Sequence, residues 1–118
     1  QIDINMKLAQ GVVREIVGEN EFHSISIKEI SKYITSKINV SERLIRGKSR
    51  RQEVALARQI IMYLSRELTN LPLSKIGAQL GKRDHSTVVH ACKLIENKIN
   101  SDDGFKNQID DYLNVLSK

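Results

Sequence analysis

One cysteine, one proline and six glycines in 118 residues exclude a disulfide scaffold and a collagen-like repeat. No glycine-rich phosphate loop is present, so this chain is not expected to bind or hydrolyse a nucleotide, and we expect no catalytic residues and no cofactor within it. No stretch approaches the roughly 20 apolar residues of a membrane span. Alternating β-branched residues bounded by turn signals are missing too, which argues against a sheet. With Cys92 unable to form an internal bridge, and no cationic, apolar leader of the secretory kind, the expected compartment is the reducing cytoplasm. A first residue of Gln1 rather than Met leads us to expect a piece of a longer protein. What remains is 40% hydrophobic and 28% charged, the composition of one globular domain.

The formal net charge of +5 is unevenly placed. From Arg43 to Lys93 there are eleven basic residues against Glu53, Glu67 and Asp84, a net +8, leaving −3 on the flanks. A basic patch of this kind suits a polyanion, most commonly nucleic acid, although solvated basic faces also serve solubility.

The periodicities predict an all-α fold of about six helices preceded by a further helix. Leu8, Val12 and Ile16 stripe a first helix over residues 3–17, ended by Gly18. The next starts at about Ser26, with Glu29 at the capping-box spacing and Ile27, Ile30 and Ile34 facing inward. Ser41 caps a short turn with Leu44 and Ile45, which Gly47 ends in a basic, flexible loop, Lys48 to Arg51. A long helix from about Gln52 to Thr69 turns Val54, Ala57, Ile61, Leu64 and Leu68 to the core. Arg51, Arg58 and Arg66 fall within about 80° of each other around its axis. Pro72 marks the break before a short helix, 73–80, and another runs from Asp84 to about Ile99. After a mobile turn at 101–104, a last helix buries Phe105, Ile109, Tyr112, Leu113 and Leu116.

Residues 73–99 follow the grammar of a helix-turn-helix. Gly77 leaves room for a close helix crossing, and Gly81 suits a left-handed helix end. On the second helix Val88, Ala91, Cys92, Ile95 and Ile99 point inward. His85, Ser86, Val89 and Lys93 point outward, with Thr87 and His90 at the margins and Lys82 and Arg83 just before them. Short polar groups and cations at a helix start are what a recognition helix uses to meet base edges and phosphates. The same pattern also describes an ordinary αα-hairpin capped by Asp84. A metal site at His85, His90 and Cys92 fails because these spacings spread the ligands around the helix, with no fourth ligand. Nucleophile pairs such as Ser86/His85 fail because adjacent residues diverge on a helix.

The segment GKRDHSTVVHACKLI, with VALARQIIMYLSRELTNLPLSKIG upstream, resembles the C-terminal DNA-binding domain (domain IV) of the bacterial chromosomal replication initiator family, DnaA. The resemblance begins at about Ile25 and implies a connector helix at 1–22 from an AAA+ ATPase module and a DNA-binding domain at 23–118. ATP would belong to that other module. It further implies double-stranded DNA as partner, bound at short origin boxes close to TTATNCACA, in a bacterial, nucleoid-associated protein. Arg50 matches the arginine that enters the minor groove at the A·T end of the box, where a narrow groove concentrates negative potential. Asp84, His85, Ser86 and Thr87 match the residues that read the major groove. Arg58, Gln59 and Arg66 match phosphate contacts, as do Lys75 and His90; Lys82 and Arg83 are expected there from the pattern itself. On this basis Arg58→Ala should weaken all sequences alike. Ser86 departs from a common threonine and Ser74 from a common proline, which affects the contacts near them.

Two other readings are a helix-turn-helix transcription regulator of another site, and a protein or membrane-surface docking module using residues 3–17. The latter would bring anionic phospholipid or regulatory proteins as partners. A monomer is expected, since no long self-complementary apolar seam remains.

Overall fold

In the computed structural model, residues 25–117 are described, and they form six helices. These are α1 (Ile27–Ile38), α2 (Glu42–Arg46), α3 (Gln52–Leu68), α4 (Leu73–Gln79), α5 (His85–Ser101) and α6 (Asp103–Leu116). No strand occurs among the described residues. The expected helix at 3–17, its Gly18 terminus and the docking role given to it lie outside them.

Local chemistry sets most of the helix starts. Glu29 N–H donates to Ser26 Oγ (3.1 Å), and Ser26 N–H donates to Glu29 Oε1 (2.9 Å), the reciprocal pair the spacing predicts. Ser41 accepts from Leu44 N–H (3.3 Å) and Asp102 from Phe105 N–H (3.1 Å). Asn39, at φ 65°, ends α1 in the left-handed region, with its N–H on the Thr35 carbonyl. Pro72 stands immediately before α4.

Helix α3 is the scaffold, packing against α1, α2, α4 and α5, while α5 in turn carries α4 and α6. The core is rich in isoleucine: Ile30, Ile34, Ile45, Ile60, Ile61, Ile76, Ile95 and Ile109 are all buried. Isoleucine gives up less than about 0.7 kcal/mol of helix propensity relative to alanine. Burial returns about 1.5–3 kcal/mol per side chain, so packing decides.

The inward face of α3 is wider than the expected stripe. Ile60, Met62 and Ser65 are also buried, because partners surround the helix, whereas Leu68 at its end is only partly covered. On α6, Phe105, Ile109 and Tyr112 are buried as expected, but Leu113 and Leu116 are half-buried, since α5 is the neighbour α6 chiefly packs on. Ile99 is half-buried as well, and α5 continues past it to Ser101. The turn expected at 101–104 is reduced to Asp102, which ends α5 and caps α6.

Candidate nucleic-acid interface

Asp84, in extended conformation, caps α5. Its Oδ1 accepts from Ser86 N–H (2.9 Å), Thr87 N–H (3.3 Å) and the Ser86 hydroxyl (2.6 Å). The Ser86 hydroxyl, followed by the Thr87 amide, holds the Asp84 carboxyl below its ordinary value. Beyond the cap, His85, Ser86, Thr87, Val89, His90 and Lys93 are exposed, while Val88, Ala91, Cys92 and Ile95 are buried. Burial pushes the Cys92 thiol up, as suits a small core residue. The start of α5 thus presents the imidazole, hydroxyl and methyl groups the sequence places outward.

The turn before α5 is tight. Gly81 lies at φ 97° and Lys82 at φ 60°, two successive left-handed residues of which only the first was expected. Arg83 N–H donates back to the Gly77 carbonyl (2.9 Å). A Cβ on Gly77 would run into the Arg83 carbonyl and lie 3.2 Å from Val88 Cγ2, so glycine is what lets α4 and α5 cross this closely. A Cβ on Gly81 would meet the Arg46 carbonyl, which puts the turn directly against the end of α2.

The basic loop after α2 is held rather than loose. Arg58, from α3, donates through Nε to the Ile45 carbonyl (2.9 Å) and through Nη2 to the carbonyls of Leu44 (3.0 Å) and Gly47 (3.3 Å). Both terminal nitrogens also reach the Ser49 carbonyl (3.4 Å). Ile45 lies in the last turn of α2 and Gly47 and Ser49 lie beyond it, where no further helical turn supplies donors; the Leu44 carbonyl also accepts from Gly47 N–H (3.2 Å). Arg83, from the turn, donates through Nη2 to the same Gly47 carbonyl (2.6 Å) and through Nη1 to that of Leu80. Burial, and then the nearby Arg83 charge, pull Arg58 below the ordinary guanidinium value; burial does the same to Arg83. Arg50 is exposed in this loop, next to the bound Ser49.

The three arginines expected on one side of α3 therefore have separate partners. Arg51 pairs with Glu53 (2.6 Å), and Arg58 folds onto the end of α2. Arg66 lies between Glu67 (3.0 Å) and Glu96 (2.6 Å) and over the Tyr63 ring, and the Glu96 bond holds it above its ordinary value. The pair with Glu96 ties α3 to α5. A cleft of about 130 Å³ between α3 and α5 is lined by Arg58, Gln59, Arg83, Thr87 and His90, among others. The structure thus brings these five together, while Lys75 and Lys82 are exposed on α4 and the turn. Sequence reasoning missed the acceptors of Arg58 and Arg83, for backbone carbonyls leave no mark in residue identity. Glu96, an acidic residue on α5, was the one legible sign that Arg66 has an internal partner.

The family model described as the bacterial DnaA protein helix-turn-helix matches residues 27–95. Among curated relatives, the chain is 36% identical over 116 residues to the chromosomal replication initiator protein DnaA of Bacteroides thetaiotaomicron, covering 98% of this chain and 24% of that protein. It is 35% identical to that of Bacteroides fragilis over 98% of this chain and 24% of that protein. It is 34% identical to that of Lactobacillus delbrueckii subsp. bulgaricus, again over 98% of this chain and 26% of that protein. The chain spans about a quarter of the length of these relatives. With the family match reaching from the start of α1 into α5, over more than half of its residues, the chain belongs to the bacterial DnaA helix-turn-helix family.

Proposed function

We propose that this chain is a sequence-specific, duplex-DNA-binding domain that places the start of α5 in the major groove and Arg50 in the adjacent minor groove. The observation that carries this reading is the hydrogen bond from Arg83, at the foot of α5, to Gly47 in the basic loop, which joins the two proposed reading elements. On α5, His85, Ser86 and Thr87 offer donors, acceptors and a methyl group suited to base edges, and Asp84 suits cytosine N4. Gln59 and His90, beside the α3/α5 cleft, suit a backbone phosphate, with Lys75 and Lys82 further along the strand. Boxes close to TTATNCACA at a replication origin are the intended targets, and initiation of chromosomal replication, with ATP handled by another module, is the role of the whole protein.

Titrating the chain onto a duplex carrying TTATNCACA and onto a scrambled duplex, across a salt series, tests this. Selective binding is expected, with log affinity falling by about 0.9 per neutralised phosphate against log salt. Arg50→Ala should cost about 1–3 kcal/mol and relax preference at the A·T end alone. Equal affinity for both duplexes, or an unchanged A·T-end preference in Arg50→Ala, contradicts the respective assignment.

A further inference from the structure

We propose that Arg58 and Arg83 are positioning residues, a pair of guanidiniums that converge on the Gly47 carbonyl and lock the minor-groove loop to the recognition helix. The proposal rests on the DNA-binding reading above but gives Arg58 a different part from a phosphate contact.

Three observations carry it. Arg58 spends its donors on four carbonyls, those of Leu44, Ile45, Gly47 and Ser49, spanning the end of α2 and the first half of the loop. Only a planar fork with several fixed N–H groups satisfies such a set; an ammonium at the end of a flexible stem does not. Arg83 reaches the same Gly47 oxygen from the turn before α5, 36 residues further along the chain, while its other arm holds the Leu80 carbonyl at the end of α4. Gly81 lies so close to the Arg46 carbonyl that the turn and the loop have no room between them for a side chain. Arg50 follows Ser49 directly, so the depth and direction of its approach to a groove are set relative to α5 through these bonds. Every bond of the clamp is made within the protein, so holding the two reading elements in register in this way lowers the ordering cost of binding.

Arg58→Lys keeps the charge and removes the fork, which separates the two roles. As a phosphate contact, Arg58 would leave discrimination between duplexes unchanged on this exchange, whatever happens to affinity. A positioning residue does not: discrimination between a TTATNCACA duplex and one with its A·T end replaced by G·C should fall about tenfold, the loss expected of Arg50→Ala. The salt slope should match that of the wild-type chain, because no charge is lost. In Arg50→Ala/Arg58→Lys, discrimination should fall no further than in Arg50→Ala, since Arg58 acts through the loop that carries Arg50. Arg83→Lys changes the other donor to the shared carbonyl and should reproduce the loss, so the test stands even if one variant fails to fold by circular dichroism. In the unbound protein, amide resonances of residues 44–51 should shift in both variants while those of α6 stay in place. Retained A·T-end discrimination in a folded Arg58→Lys or Arg83→Lys variant, or additive losses in the double variant, overturns the proposal. Failure of the wild-type chain to discriminate at all would instead defeat the DNA-binding reading, and unshifted loop resonances in the unbound variants would then dispose of the clamp separately.

Discussion

Asp84 starts α5 by accepting two amides and the Ser86 hydroxyl, and its carboxylate is exposed; under the proposed function the same group would also meet a base edge. Folding lowers its pKa, so folding favours the ionised form. Its contribution is complete above the ordinary carboxylate value and is lost as pH falls through the lowered one. Asp84→Ala should therefore melt at a lower temperature than wild type at pH 7, with the gap closing below about pH 4. A gap that stays constant down to pH 2 would show that the cap, not its charge, is what matters. The cap was legible because it depends on residues two and three positions away. Arg58 was not, because its partners are carbonyls 9 to 14 residues distant that only the folded α2 and loop deliver.

Among elements, the crossing of α4 and α5 is the most demanding contact, and Gly77 sits at its centre. Alanine is intrinsically the better helix former by about 1 kcal/mol. Here that gain is opposed by a Cβ driven into the Arg83 carbonyl, which belongs to the turn and cannot swing aside as a side chain can. Gly77→Ala should thus destabilise by about 1–3 kcal/mol, read as a lower denaturation midpoint at unchanged slope. A midpoint raised by the substitution would mean the helices separate without cost. The need for a small residue was visible in the spacing of Ile76, Gly77, Leu80 and Gly81, but what the Cβ would strike was not. The loop after α2 shows the reverse case. Its glycine and basic residues read as flexible, yet guanidiniums from α3 and the turn hold its carbonyls.

At the scale of the molecule, α3 touches four other helices, so its core residues answer to the whole fold. Ile61→Ala, at a fully buried site, should cost about 2–5 kcal/mol by lost burial and the cavity left behind. Its effect on DNA affinity should vanish once the folded fraction is accounted for; affinity that drops in the fully folded variant would show that the core tunes the reading surface. The amino-acid sequence by itself determined the six described helices, the caps at Ser26, Ser41 and Asp84 and most of the inward stripes, since each follows from neighbours within a turn or two, and its composition placed the positive charge between Arg43 and Lys93. Only the tertiary structure decided which of those charges face outward. Arg66 is paired across helices with Glu96 and Arg58 is spent on carbonyls, while Arg50 and Lys75 remain exposed. Where a long, charged side chain ends up is settled by the acceptors that distant segments bring within about 3 Å, and those are set by packing.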